Sequence, residues 1–221
     1  MFFHVLNRAV GRGRLFRRDG DYAAFLRVVE EVHRRLPTRI LAFCAMPNHW
    51  HFVLWPRQDG ELSEFMRLLT VTHTQRWHAH RHTAGTGPLY QGRFKSFPIE
   101  RDEHLLAVCR YVERNPMRAG LVAAAELWRW GSLRTREHVP RTPWLMPWAD
   151  CPVERPARWV QYVNRPQTAA EEAAIAEAIK RGRPYGAASW QKAVATKLRL
   201  ESTMNPRGRP RVRPIKDSRP L

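Results

Sequence analysis

Two histidines one residue apart, His49 and His51, open the apolar run Phe52-Val53-Leu54-Trp55. Side chains alternate faces along a β-strand, so both imidazoles project from one face while Trp50 points to the other. Neighbouring imidazoles can give two nitrogen ligands to a divalent cation and leave its other positions open for substrate. Further along, Leu105, Val108 and Val112 recur at helical spacing behind Asp102, a residue suited to an N-cap. Pro116 disfavours helical geometry at Asn115 and predicts the helix end there. Tyr111 and Asn115 are four residues apart, which places their Cβ atoms about 5–6 Å from each other on one helix face. A phenol is a nucleophile, and an amide oxygen can reach a metal. Together the four residues describe metal-dependent phosphoryl transfer, in which a cation polarises a phosphate and the tyrosine attacks it to leave a covalent phosphotyrosine. Taken singly, each has a plainer reading. The histidines would be ordinary on a solvated strand face, Tyr111 would pack in a helix interface, and Asn115 would only cap the helix.

The elements that must position these residues follow from pattern. Residues 2–8 alternate with period two, Phe3, Val5 and Asn7 opposing Phe2, His4, Leu6 and Arg8. Residues 21–36 read as a helix through Tyr22, Phe25, Leu26, Val29, Val32 and Leu36. Strands over 38–46 and 49–55 are joined by Pro47-Asn48, the signature of a hairpin. A second helix is expected over 61–82, a fourth strand over 94–100, then the Tyr111 helix. The order β-α-β-β-α-β-α is the split βαβ pattern of a ferredoxin-like α+β fold with an antiparallel sheet.

Four ordered motifs carry a family resemblance: Phe3-His4-Val5-Leu6-Asn7-Arg8, then Leu41 to His51, then Tyr90-Gln91-Gly92-Arg93-Phe94-Lys95, then Arg110 to Val122. They resemble the REP-associated tyrosine transposases, bacterial relatives of the single-strand-specific HUH transposases. The similarity spans about residues 2–133, and Gly-Arg-Pro-Tyr-Gly at 182–186 resembles the family's C-terminal region. Ala9 stands where the pattern has Gly, which touches a turn and not the chemistry. The resemblance implies an antiparallel sheet carrying both histidines with the Tyr111 helix beside it. It implies cleavage and joining of single-stranded hairpin DNA from repetitive extragenic palindromes, through a 5′-phosphotyrosine on Tyr111. His49, His51 and Asn115 would hold Mg2+ or Mn2+, although imidazole nitrogens also suit Zn2+. A free phenol titrates near pH ~10, so a proton acceptor is needed, and none is legible. Arg93 and Lys95 read as DNA contacts or as plain surface charges, and the resemblance favours DNA. Arg118, in the last motif, is grouped with them. Related transposases include dimers that exchange the Tyr helix, but a monomer is the expectation here.

Charge points the same way. The chain has 221 residues, and 38 Lys and Arg against 20 Asp and Glu give a formal net charge of +18. A chain this basic most often meets a polyanion. No apolar run approaches the ~18 residues of a membrane span, and the start lacks a secretory leader. Cys44, Cys109 and Cys151 are scattered and odd in number, so neither a disulfide framework nor a Cys-x-x-Cys zinc site is implied. The expectation is a cytoplasmic, nucleoid-associated protein.

Three regions are expected: a catalytic domain over 1–133, an extension over 134–204 and a basic tail over 205–221. Residues 134–167 are Pro-rich but hold Trp144, Trp148 and Trp159, so an extended arm packed on the catalytic domain is predicted in place of a loose linker. Helices are predicted over 169–181 and 187–200, the latter through Trp190, Val194 and Leu198. The tail contains Arg207, Arg209 and Arg211 around Gly-Arg-Pro, a pattern like an AT-hook for the minor groove or a nonspecific phosphate-neutralising strip. His78 and His82 have zinc-pair spacing but no third ligand. Trp50, Trp55, Trp77 and Trp128 read as core, with one or two available to stack on unpaired bases. A binder of hairpin DNA or RNA without catalysis is the alternative to the enzyme, and a nuclease that nicks without joining is a third reading.

Overall fold

The computed structural model describes residues 1–139 and 142–205. Its centre is a four-stranded antiparallel sheet of β1 (Phe2–Arg8), β2 (Arg39–Met46), β3 (His49–Trp55) and β4 (Lys95–Ile99), in the order β2-β3-β1-β4. With the first two helices between strands this is the ferredoxin-like topology, α+β as expected. The hairpin pairs Met46 with His49 and Cys44 with His51 across the Pro47-Asn48 link. On the other side of β3, β1 sets Arg8 opposite His49 and Leu6 opposite His51. Pro98, which lacks a donor, sits in the edge strand β4, where that loss is tolerated.

Period-two alternation divides the core into two layers. Val5, Phe43, Trp50, Phe52 and Leu54 face α1 (Asp19–Arg35) and α2 (Glu61–Arg81), which contribute Phe25, Val29, Phe65 and Leu69. Phe2, Cys44, Val53, Phe97 and Ile99 face α3 (Glu103–Arg118). Inside the first layer the Tyr90 hydroxyl accepts from Trp50 Nε1 at 3.0 Å and bonds His73 Nδ1 at 2.6 Å. Trp50 is fully buried, so this tryptophan is a core anchor and no platform for bases. Trp77 and Trp128 donate their indole N–H groups to the backbone oxygens of Leu15 and Ala45.

Helix α3 starts where expected, with the Asp102 carboxylate accepting from the His104 N–H. It does not stop at Asn115. It runs through Pro116 to Arg118, because Pro116 falls in the last turn and the true stop is Gly120, at φ +67°. The Leu121 N–H reaches the Pro116 carbonyl and the Gly120 N–H reaches that of Met117, a Schellman closure. The helix is covered on both sides. Beyond α4 (Ser132–His138), α5 (Trp159–Asn164) and α6 (Ala169–Arg181) lay Trp159, Val163, Ile175 and Ala178 on its second side. Buried Glu113 ties this region together, accepting from Ser132 Oγ at 2.6 Å and Trp159 Nε1 at 2.7 Å, while Ser132 Oγ accepts from the Phe43 N–H.

The Trp-rich arm packs on the core, with Trp144 and Trp159 buried, but it is not extended throughout, since α4 reaches into its start and Trp159 opens the helix α5. Helix α6 spans the predicted residues, capped by Thr168 with Glu171 and closed at Gly182. The next predicted helix is shorter. It ends as α7 (Ala188–Lys197), ahead of Arg199 at φ +56°, and a separate short helix, α8 (Glu201–Met204), follows beyond the predicted range. Between α6 and α7 the Tyr185 N–H bonds the Pro98 carbonyl, and the Glu100 N–H bonds that of Tyr185. This strap covers part of the exposed β4 edge, a place where sheets otherwise invite pairing.

Candidate active-site cleft

A cleft of about 460 Å³ opens between β1, β3 and α3, lined by Arg8, His49, His51, Tyr111, Asn115 and Arg118, with Leu6, Met46, Ala119 and Ile179 completing the wall. The four residues singled out from spacing therefore meet in one place. The sheet supplies the histidines from a common face, and α3 lies over that face with Tyr111 and Asn115 one turn apart. The His51 and Tyr111 rings are 6.0 Å apart, and those of His49 and His51 are 4.9 Å apart.

Hydrogen bonds order the imidazoles. His49 Nδ1 meets Asn48 Oδ1 at 2.6 Å, so it carries the proton and Nε2 keeps a lone pair. His51 is bonded at both nitrogens: Nε2 to the Asn115 amide nitrogen at 3.1 Å, and Nδ1 to His4 Nε2 at 2.8 Å. Burial pushes His49 down to about 4, aided by the positive charges of Arg8 and Arg118. Burial also lowers His51 well below the usual imidazole range, with His49, His4, Arg118 and Arg8 adding to it. Both rings are thus neutral near pH 7, the form that ligates a cation.

The donor set fits a divalent cation. Two neutral imidazoles have their Nδ1 atoms tied back by Asn48 and His4, as outer-shell partners tie metal-bound histidines. Asn115 faces the same His51 Nε2, and its amide turned about the last torsion presents oxygen in place of nitrogen. A second group, Glu100, Asp102 and His104, has ligand atoms within 4.8 Å of one another. Its members already serve the fold: Asp102 caps α3 and bonds the His104 ring, and Glu100 accepts from the Ala187 N–H.

Arg118 donates to the Tyr111 hydroxyl at 3.0 Å and lies over its ring. Arg93 and Lys95 lie outside this cleft, in a neighbouring groove with Asn7, Gln91 and Gly92 that shares Leu6, Arg8 and Ile179 with it. Arg207, Arg209 and Arg211 fall outside the described residues. Spacing missed His4 and Arg8. Arg8 stands across from His49 at the junction of the two grooves, and its buried Nε has no partner among the described residues. Their membership in the alternating β1 pattern was visible, but the strand they pair with was not. His78 bonds Thr83 Oγ1 at 2.9 Å and no metal group includes it or His82 among the described residues.

The chain belongs to the IS200-like transposases, whose family model matches residues 1–115. Among solved structures it is similar to a REP-associated tyrosine transposase bound to a REP hairpin. That likeness has 21% identity and a TM-score of 0.52, covering 66% of this chain and 84% of the other, and it speaks for the fold. A candidate transposase from Deinococcus radiodurans R1 is 16% identical with a TM-score of 0.39, covering 51% of this chain and 88% of that one. No curated protein matches the chain. No helix among the described residues is long and apolar enough to cross a membrane.

Proposed function

We propose that this transposase-family protein cuts and rejoins single-stranded DNA at REP-type hairpins through a 5′-phosphotyrosine on Tyr111. The observation that carries the proposal is the convergence of Tyr111, His49, His51 and Asn115 in one cleft beside Arg8 and Arg118. In the cutting step a bond forms between Tyr111 Oη and the scissile phosphorus as the bond from phosphorus to O3′ breaks. The phenol gives up its proton and the leaving O3′ takes one up, so cleavage yields a 3′-hydroxyl and a 5′-phosphate held on the protein. Joining is the reverse, with a 3′-hydroxyl as the attacking group. Arg118 holds the phenolic oxygen toward the cleft and places positive charge beside the oxygen that must give up its proton.

His49, His51 and Asn115 would hold Mg2+ or Mn2+, which when bound supplies Lewis-acid polarisation of the phosphate oxygens. Arg93 and Lys95, joined to the cleft through Arg8, would carry the flanking strand by contacts to its phosphates. Tyr111 meets His51 of its own chain, which supports a monomer, since no exchange of helices is needed to assemble the cleft. A cytoplasmic site of action beside the nucleoid accords with a net charge of +18 and this substrate.

The test uses a labelled single-stranded REP-type hairpin oligonucleotide with purified protein in Mn2+ or in EDTA. Denaturing gels should show a protein–DNA adduct with wild type in Mn2+, absent with Tyr111→Phe and absent in EDTA. Salt-sensitive binding by both proteins with no adduct across a panel of hairpins would instead favour a binding protein.

A further inference from the structure

We infer that His4 is a positioning residue: it accepts a hydrogen bond from the His51 Nδ1–H and so keeps the proton off His51 Nε2, whose lone pair faces Asn115 and the cleft as a ligand nitrogen. The cation in this statement rests on the proposed function above, whereas the hydrogen bond does not.

The geometry is closed and dry. His4 is fully buried and His51 is 3% exposed, so no bulk water competes for the contact between them. His4 Nε2 lies 2.8 Å from His51 Nδ1, and on the opposite edge of the His51 ring Nε2 lies 3.1 Å from the Asn115 amide nitrogen. An amide nitrogen only donates, so His51 Nε2 accepts. A neutral imidazole with a lone pair on Nε2 carries its proton on Nδ1, and its one partner there among the described residues is His4. His4 must then accept at Nε2 and carry its own proton on Nδ1. That last atom is buried without a partner among the described residues. An unpartnered donor is what remains when one orientation of the pair is imposed by what lies at its other end.

His4 is not itself placed as a ligand. It does not line the cleft, and its Cα pairs with Val53, two residues along β3 beyond His51 and on the same face. Its contact is to the far edge of the His51 ring. Phe97, stacked on it with centroids 4.8 Å apart, holds the ring in plane from β4. The arrangement repeats at the neighbouring ligand by other means, since Asn48 Oδ1 accepts a hydrogen bond from the His49 Nδ1–H. Both histidines therefore present the same nitrogen, and outer partners of this kind typically change metal affinity by about 10–100-fold when removed.

Two measurements on the full chain test the inference. The first is the tautomer of His51 in metal-free wild type, read from long-range 15N–1H correlations with His51→Gln as the assignment control. A proton on Nδ1 is expected, and a proton on Nε2 overturns the proposal without reference to any metal. The second is Mn2+ affinity followed by electron paramagnetic resonance for wild type, His4→Phe and His4→Gln. His4→Phe keeps the stacking on Phe97 and removes the acceptor, so affinity should fall about 10–100-fold. His4→Gln restores an acceptor oxygen and should return affinity to within about threefold of wild type, by the same reasoning. Equal affinity in wild type and His4→Phe overturns the proposal. Wild type that shows the expected tautomer but binds no Mn2+ would overturn the cation reading, and with it the purpose assigned to His4.

Discussion

Arg118 and Tyr111 form a clamp: the guanidinium donates to the phenolic oxygen at 3.0 Å while its carbon lies 4.5 Å from the ring centre. The two residues are two helical turns apart on α3, so the contact survives only while the helix continues past Pro116. It places a fixed positive charge at the atom proposed to attack. Arg118→Ala should lower the single-turnover rate of adduct formation about 100-fold at saturating hairpin, as loss of one donor at a reacting oxygen does. Affinity for the hairpin should fall far less. A normal rate with weakened binding would reduce Arg118 to a phosphate contact.

Tyr90→Phe removes one hydroxyl that serves two buried partners, Trp50 Nε1 and His73 Nδ1. Each orphaned polar group costs about 1–3 kcal/mol, so urea unfolding should show a loss of about 2–6 kcal/mol. Adduct yield per folded molecule should be unchanged, because this network lies on the face of the sheet away from Tyr111. Loss of adduct at unaltered stability would place Tyr90 in the reaction instead.

Much of this was legible in the sequence because it depends on local pattern. The His49–His51 pair needs only the period of a strand, Tyr111 and Asn115 need only that of a helix, and Asp102 acts as a cap within its own turn. What escaped depends on pairing. His4 meets His51, and Arg8 meets His49, because β1 lies beside β3 in one register, and a lone strand pattern does not name its neighbour. Pro116 misled for a different reason. A proline discourages helix at the residue before it, but Asn115 is buried against His51, and Gly120 offers a better stop five residues after Asn115. The clamp on Tyr111 exists only because of that extra turn.

Glu113 shares a motif with Tyr111 and Asn115, yet its carboxylate faces Ser132 and Trp159 and not the cleft. Glu113→Ala should leave both donors unpartnered and cost about 2–6 kcal/mol in urea unfolding. The folded fraction should still form the adduct. A fully stable variant without activity would mean that the carboxylate takes part in proton transfer.

Acid should destabilise the fold through its buried imidazoles. Burial pushes His4 and His73 each down to about 3, whereas unfolded histidine titrates near ~6.5. Between those values the unfolded chain binds more protons, so stability rises with pH across the window and is lost as pH falls below ~6.5. From pH ~7.5 to ~5.5 each such group forfeits about 1.3 kcal/mol, so the two together account for about 2–3 kcal/mol. Glu113, pushed up by burial, works in the opposite sense and trims the change. Urea midpoints at the two pH values check this, and equal midpoints would mean that these rings are not held neutral.

Gly186 lets the strap between α6 and α7 sit against β4. A Cβ there would stand 2.6 Å from Glu100 Cβ and 2.7 Å from Trp190 Cε3. Glu100 cannot readily retreat, because its carboxylate accepts from the Ala187 N–H at 2.6 Å and its own N–H bonds the Tyr185 carbonyl. Gly186→Ala should therefore cost about 1–3 kcal/mol through overpacking. The effect should also reach the cleft, since α6 leads directly into the strap and contributes Ile179 to the cleft wall. Weaker hairpin binding alongside the lower urea midpoint is the expected result. Reduced stability with unaltered affinity would show that the strap braces the sheet edge and leaves the wall of the cleft in place.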